Sequence, residues 1–396
     1  MAEDIKNGLG NNLFSLNMAM ISPQSTSSNG IWDYTARLIK EFRLLNPQCS
    51  IITPSNLIPE KKSERRSNWQ GKQFPSHWPY IFLEAIDAAH VSLVHIQQGA
   101  YIGHGNELIQ FLTGLHARRI PSVITLHDVW PPTLIRRWPV SFYRQLAENE
   151  VQVIIHQKAG TLKFLIKHGI PADRIAIIPH GTWTQEDIPI IPDRMNNSKQ
   201  RIILFAGNIF PRKGLHRMLR AFPDVVRNIS GACLLVVGRD RNHNIIDRFY
   251  CFWLRRKMRS GLKKGWLIQR SEYVTEEELW ANICTADVTV FPYTRPYGSS
   301  SGIFHRVLAA GRPSICSYIP TFGEAIEAWG ECLDDLILPP NDTAAWSRAL
   351  IRILTDEAFR KQAMEASASL GRKTSWPLVA GEHLRLYQKL LSPVPS

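Results

Sequence analysis

Acidic residues are in short supply. The 396-residue chain carries 34 Asp and Glu against 47 Lys and Arg, a formal net charge of +13. That balance makes a cation-binding acidic protein a poor fit and suggests an anionic partner: nucleotide phosphates, nucleic acid or an acidic membrane leaflet. Cysteine is sparse as well. Cys49, Cys233, Cys251, Cys284, Cys316 and Cys332 are scattered and make no C-x-x-C pair, which argues against a zinc site or a disulfide framework and fits a reducing compartment. No apolar run reaches the ~20 residues of a membrane span. Met1 to Asn12 is polar and mixed in charge, unlike a signal peptide. Solenoid-length repeats and low-complexity tracts are lacking too. What is present is a 44% hydrophobic composition, ample for two cores, in a chain long enough to expect two domains.

The stretch from Val288 to Pro313 organises the rest. Val288 to Phe291 is a short apolar run of the kind buried in a parallel sheet, and Pro292 to Gly302 is a loop of Gly, Ser and Pro. Ile303 to Ala310 then reads as a short helix stopped by Gly311, with Pro313 beyond. Strand, small-residue loop and helix N-terminus form an anion site, because free N–H groups and the helix dipole point into the loop. Ser299, Ser300, Ser301 and Gly302 are small enough to let a phosphate reach the backbone. The plainer alternative is an ordinary turn with a serine N-cap.

The N-terminal half alternates strand and helix. Strands are expected at Leu13 to Ile21, Ser50 to Pro54, Val91 to Ile96, Pro121 to Leu126, Val151 to Ile155 and Ile175 to Ile178. Helices are expected at Ile31 to Leu45, with Asp33, Arg37, Lys40 and Glu41 outward, and at Ile81 to Ala88, Glu107 to Arg118 and Gly160 to Gly169. Pro59 to Pro75 is a basic loop with Lys61, Lys62, Arg65, Arg66 and Lys72. His127 falls just past a strand's C-terminal end, where open α/β sheets bind ligands, although a loop histidine bonded to Asp128 fits equally well. This alternation indicates a parallel, doubly wound sheet.

Thr182 to Gln200 breaks the pattern with Pro189, Pro192, Asp187, Asp193, Asn196 and Asn197, and reads as a linker. The alternation then restarts, with strands at Arg201 to Ala206, Ala232 to Val237, Trp266 to Arg270, Val288 to Phe291, Pro313 to Cys316 and Leu336 to Pro340. Arg212 and Lys213 precede a helix from Leu215 to Val226; two cations there oppose the macrodipole unless an anion sits between them. Asp247 to Lys264 interleaves seven basic residues with Phe249, Tyr250, Phe252 and Trp253. Either its aromatics face the core of a surface helix, or it is an amphipathic element for an anionic surface. Thr275 to Glu278 looks like a capped helix start, and further helices are expected at Glu324 to Trp329, Thr343 to Thr355, Glu357 to Leu370 and Leu378 to Leu391.

Taken in order, Gly30-Ile-Trp-Asp-Tyr-Thr35, Val94-His-Ile-Gln97, Val123-Ile-Thr-Leu-His-Asp128, Ile177-Ile-Pro-His-Gly181, Phe205 to Gly214, Ala286 to Pro292 and Val307 to Pro313 resemble the large retaining glycosyltransferase family 4. The resemblance covers nearly the whole chain. It implies an α/β GT-B architecture: two facing Rossmann-like domains with a deep interdomain cleft. Residues 1–185 would bind the acceptor, 186–200 link, and 201–375 bind the donor, with a last helix, about 376–392, returning to the N-terminal domain. It also implies a hexosyltransferase that uses a nucleotide-diphosphate sugar, UDP- or GDP-linked, as donor substrate. No bound cofactor or metal is implied. Lys213 and Arg212 would hold the diphosphate, with Asn208 alongside. Ser299, Ser300, Ser301 and Gly302 would offer it backbone N–H groups. Glu272, Tyr273 and Val274 would edge the base, Gly30 would let the first loop approach, and His127 would touch the transferred sugar. The acceptor would be a sugar, a lipid-linked molecule or a small molecule. Nucleic acid is not expected. A cytoplasmic location is implied, and the basic stretches at Lys61 to Lys72, Arg136-Arg137-Trp138 and Arg255 to Lys264 allow peripheral contact with an anionic inner leaflet.

Three positions depart from the family. It usually carries two glutamates where Gly298 and Arg306 stand, and an arginine where Asn208 stands. Serine-rich loops of this kind resemble a subtype of the family. Arg306 and the serines are therefore expected to reshape donor recognition, toward a donor with extra negative charge. Competing readings are a catalytically silent paralogue, a nucleotide-sugar epimerase of the same fold, and a polyanion-binding protein.

Overall fold

The computed structural model describes residues 15–22, 30–53, 77–98, 106–129, 140–191, 200–240, 244–271, 274–294 and 300–392. The expected basic loop at Pro59 to Pro75 and the Arg136-Arg137-Trp138 cluster lie outside these, as do Glu272, Tyr273, Gly298 and Ser299 and residues 192–199 of the expected linker. The chain divides into two compact units. One comprises Met1–Gly181, Tyr297–Ser300 and Trp376–Ser396, the other Thr182–Pro296 and Ser301–Ser375.

The first unit holds a six-stranded sheet in the order β2-β1-β3-β4-β5-β6. Its strands are β1 (Leu16–Ile21), β2 (Cys49–Ile52), β3 (Leu93–Gln98), β4 (Ser122–Leu126), β5 (Gln152–Ile155) and β6 (Ile175–Ile177). Every neighbouring pair is parallel. Helices α1 (Gly30–Leu45), α2 (Trp78–Ala88), α3 (Asn106–Ala117), α4 (Val140–Glu148) and α5 (Leu162–Lys167) supply the crossovers that parallel strands require. α4 is absent from the expected elements, whereas the others fall within a few residues of them.

One helical face was misread. Glu41 is not outward but buried, and its carboxylate is 2.7 Å from Arg37. The i, i+4 spacing lets the guanidinium neutralise a carboxylate that burial would otherwise penalise.

The second unit repeats the plan in the order β12-β11-β10-β7-β8-β9, again all parallel. Its strands are β7 (Arg201–Ala206), β8 (Ala232–Val237), β9 (Leu267–Arg270), β10 (Val288–Phe291), β11 (Ser314–Ser317) and β12 (Ile337–Leu338). β12 is only two residues long, because a 3₁₀ segment, Glu331–Leu336, takes up the chain before it. The helices are α6 (Leu215–Asn228), α7 (Ile245–Lys263), α8 (Glu276–Thr285), α9 (Gly302–Ala309), α10 (Gly323–Trp329), α11 (Thr343–Thr355) and α12 (Glu357–Lys373). Their starts follow local chemistry. Asn244, Asp342 and Asp356 accept from N3 amides, and Thr275 with Glu278 forms a capping box.

α13 (Trp376–Leu391) belongs to the first unit and lies on α1. Phe42 meets the rings of Tyr387 at 5.6 Å and His383 at 6.0 Å. Gly181 is required here, since a Cβ would stand 2.2 Å from the Trp376 ring. Among the described residues, no helix is long and apolar enough to cross a membrane.

Candidate functional site

Two groups of polar residues stand out, one in each unit. In the first unit, β3 alternates so that His95 and Gln97 share a face, and β4 and β5 end at His127 and His156. Parallel pairing sets these side chains in a row. His95 Nδ1 meets the Tyr387 hydroxyl and its Nε2 is 2.8 Å from Thr125 Oγ1. Gln97 Nε2 is 3.2 Å from His95 Nε2, and Gln97 Oε1 is 2.7 Å from His127 Nε2. His127 Nδ1 is 3.2 Å from His156 Nε2, and His156 Nδ1 is 3.1 Å from the Ile178 carbonyl.

The carbonyl end sets the proton order. His156 Nδ1 must donate to Ile178, so its Nε2 accepts from His127 Nδ1–H. His127 Nε2 is then an acceptor. The Gln97 amide is therefore read turned about, so that its NH₂ donates to His127 and its oxygen shares the His95 Nε2–H with the nearer Thr125 Oγ1. Tyr387 completes the row by donating to His95 Nδ1. Every imidazole is neutral in this arrangement. Burial, with neighbouring imidazoles adding to it, holds His95 and His127 well below the usual histidine range. Burial also brings His156 down to about 4, against the Ile178 hydrogen bond.

His127 is thus bound to Gln97 and His156 through its two ring nitrogens and is 8% exposed. Tyr34 on α1 packs its ring 4.9 Å from His127, 5.1 Å from His156 and 5.1 Å from His180. Its hydroxyl is buried without a hydrogen-bond partner, and burial pushes the phenol up. Gly30 is the first residue of α1 rather than a loop residue, and among the described residues none lies within 4 Å of the position a Cβ would take.

In the second unit the strand ends are lined by glycine. Gly207 follows β7 at φ +122 and Gly238 follows β8 at φ +153. A Cβ on Gly238 would lie 2.0 Å from Gly207 O, so the two backbones meet closely. Gly214, at φ +72, would place a Cβ 1.7 Å from Pro292 O. It brings the turn that carries Arg212 and Lys213 against the end of β10. These cations occupy a separate 3₁₀ turn, Pro211–Lys213, before α6 starts, rather than the helix terminus itself.

Lys213 Nζ donates to the Tyr293 hydroxyl and stands 3.8 Å from that ring's centroid. Tyr293 Oη is 3.0 Å from Ser301 Oγ, and with Lys213 as donor the phenol passes its own proton to the serine. Burial pushes the Tyr293 phenol up. Ser301 is the N-cap residue of α9, yet its hydroxyl makes no capping bond. The serine-cap alternative therefore fails at this residue, and α9 begins with its first amides uncapped by that side chain. Ile303 lies against Gly207, whose Cβ would be 3.2 Å from Ile303 Cδ1. Lys213, Tyr293, Ser301, Gly302 and Gly207 are thereby gathered on one edge.

The remaining expected residues lie as follows. Asn208 is exposed, Arg212 is half-buried with its guanidinium 5.4 Å from the Phe210 ring, and Ser300 is half-buried beside Ser301. Val274 is half-buried and packs on the core of this unit. Arg306 lies on the Trp183 ring at 4.0 Å and reaches Glu276 Oε1 at 3.2 Å. Its Nε is buried without a hydrogen-bond partner. The neighbouring His305 is buried between Thr182 Oγ1, at 2.7 Å, and Glu324 Oε2, at 3.7 Å. Sequence reasoning passed over Tyr34, His156, Tyr293, Trp183 and Glu324 as site residues. His156 had a usable signal, since it ends a strand as His127 does.

Known proteins match the chain over both units. Residues 28–186 match the model described as Glycosyltransferase Family 4, and residues 200–356 match Glycosyl transferases group 1. The chain is a family 4-like glycosyltransferase in sequence, and its two parallel sheets have the GT-B fold. Over 190 residues it is 28% identical to phosphatidyl-myo-inositol mannosyltransferase of Mycobacterium leprae, covering 48% of this chain and 46% of the relative. It is 22% identical over 283 residues to O-antigen chain mannosyltransferase B of Escherichia coli, covering 68% of each. The chain spans about half the length of the first curated relatives it matches. Among solved structures it superposes on Anabaena HepE in complex with UDP and glucose, with a TM-score of 0.68 and 13% identity. That match covers 94% of this chain and all of the other.

Proposed function

We propose that the chain is a retaining hexosyltransferase that moves a sugar from a nucleotide-diphosphate sugar to a hydroxyl acceptor. The observation that carries this reading is the set in the second unit: Lys213, Tyr293 and Ser301 in hydrogen-bonded sequence, beside the start of α9, which the Ser301 side chain leaves without a capping bond, and the glycine-lined ends of β7 and β8. Such a set suits a diphosphate. Lys213 supplies charge, Ser301 has a proton left to donate, and the amides at Gly302 and Ile303 meet anionic oxygens at the positive end of the helix. Arg212 adds a second cation, with Asn208 alongside. Ser299 and Ser300 extend the donor loop. Glu272, Tyr273 and Val274 edge the base.

In the reaction, the acceptor oxygen forms a bond to the anomeric carbon as the bond from that carbon to the diphosphate breaks. Attack comes from the face the diphosphate leaves, which preserves configuration. The departing phosphate oxygen takes the acceptor proton. Lys213, Arg212 and the α9 amides stabilise the charge that develops, so no carboxylate nucleophile and no metal are required. His127, held neutral and rigid by Gln97 and His156, borders the transferred sugar, and Gly30 leaves room at the start of α1. UDP is favoured as the base carrier, since HepE holds UDP, and GDP is the second choice. The relatives named as mannosyltransferases favour a hexose and a glycan or lipid-linked acceptor. The scattered cysteines favour a cytoplasmic location, and the basic stretches favour contact with an anionic leaflet.

Thermal shifts against UDP, GDP, ADP, TDP and their common sugars, with EDTA present, test the reading. A selective rise with one nucleotide is expected, about 2.7 kcal/mol at a hundredfold excess over Kd. No shift with any of them would move the silent-paralogue reading to first place.

A further inference from the structure

α7 presents two unlike faces. Asp247, Cys251, Leu254, Met258 and Gly261 are buried, at the spacing of one helical stripe. The opposite stripe has the same spacing and runs through Ile245, Phe249, Phe252, Arg256, Arg259 and Lys263. Its first two turns are apolar and open to solvent: Ile245 is 82% exposed, Phe249 71% and Phe252 61%, with Ile246 at 65% beside them. Its later turns are cationic. The only carboxylate in the helix, Asp247, is buried on the inner face. Of the two readings left open for this segment, aromatics turned to the core fails for Phe249 and Phe252, and only Tyr250 and Trp253 pack partly against the core.

We infer that the outer face of α7 docks the protein on an anionic lipid surface. Bulky apolar tips followed by cations along one stripe match the two layers of a leaflet. Phe249, Phe252 and the isoleucines would enter below the headgroups, while Arg256, Arg259 and Lys263 would meet lipid phosphates with their long stems along the interface. A nucleic acid would use the cations and leave four large apolar side chains in water. A protein partner or a second copy would need acidic groups facing the cations, and α7 offers none to a second α7 on this face.

This inference rests only in part on the transferase reading, since it adds the surface through which that enzyme would meet a membrane-bound acceptor. Its test is therefore made without nucleotide sugar. The full chain is sedimented with vesicles of pure phosphatidylcholine and with vesicles containing a third phosphatidylglycerol. Binding is expected only to the second, falling as salt rises. Arg256→Glu/Arg259→Glu/Lys263→Glu should weaken it roughly a hundredfold or more. Phe249→Ser/Phe252→Ser should weaken it roughly tenfold, with melting temperature and UDP binding unchanged, because these side chains are already solvent-exposed. The idea is overturned if wild type stays in the supernatant, or if either variant sediments as wild type does. It is also overturned if wild type is a dimer that Phe249→Ser/Phe252→Ser dissociates. Vesicle binding without binding of UDP, GDP, ADP or TDP would instead count against the transferase reading alone.

Discussion

The two units share a layered plan yet finish their strand ends with opposite chemistry. In the first, the ends carry side chains. His95, Gln97, His127 and His156 are buried, mutually bonded and neutral. In the second, the ends carry backbone. Gly207, Gly214 and Gly238 remove side chains so that main chain meets main chain, and Lys213 brings the charge. The comparison teaches that a doubly wound sheet supplies a location rather than a chemistry. A neutral row of imidazoles suits uncharged hydroxyls, whereas glycine, amides and a lysine suit a phosphate.

The sharpest way to break this contrast is to remove the charge from the second unit. Lys213→Ala should lower kcat/KM by roughly 10² to 10³, with the nucleotide Kd rising, because it removes a charge-assisted bond at the leaving group. Steady-state kinetics and calorimetry with the nucleotide identified by thermal shift would check this; an effect under about tenfold would remove Lys213 from the diphosphate site. Gly214→Ala tests the backbone half of the contrast. A Cβ there would lie 1.7 Å from Pro292 O at a φ of +72. Its expected cost is about 3 kcal/mol in urea unfolding, as overpacking adds to a left-handed conformation. Wild-type stability would mean that the turn is not clamped to β10.

Acid separates the units next. His156 and His383 titrate at about 4 when folded, against 6.5 when exposed, and His95 and His127 are lowered too. The unfolded chain therefore binds more protons between those values. Stability is full above about pH 6.5 and falls as pH drops toward 4, by about 1.4 kcal/mol per pH unit for each such imidazole. The Tyr34 and Tyr387 phenols that face these rings are pushed up by burial and stay neutral throughout the window. Hydrogen exchange at pH 7.5 and pH 5 should show β3 to β5 losing protection before β7 and β8. Simultaneous loss in both sheets would refute the assignment. His216 in the second unit also lies near 4, so its sheet is expected to weaken less rather than not at all.

Smallest is the effect at Arg306. Arg306→Glu removes the guanidinium from Trp183 and sets a second carboxylate near Glu276. It should change donor preference by roughly tenfold among nucleotide sugars. Unchanged preference and turnover would end the idea that Arg306 reads the donor.

Much of this was legible beforehand. Apolar runs marked the strands, and Gly311 and the Thr275–Glu278 box marked helix limits, because these signals are local. α4 has no counterpart among the expected elements because, of its described side chains, only Phe142, Tyr143 and Leu146 are buried, too few to mark a helical period. Glu41 was placed outward because a carboxylate's burial depends on a partner, here Arg37, whose pairing spacing alone does not reveal. Lys213 and Ser301 were found from turn chemistry. Tyr293 between them was not, since its bonds span 80 residues in one direction and 8 in the other.

The sequence by itself determined the alternation of strand and helix, the loops that could hold an anion, and the family, because hydrophobic period and small-residue turns act over a few residues. Only the tertiary structure decided which polar groups face one another. Parallel register across β3, β4 and β5 sets the imidazoles in a row, and close packing turns Phe249 and Phe252 outward while Asp247 turns in. Burial and partner choice are properties of the packed whole, so a hydrogen bond between residues far apart in the chain leaves no local trace.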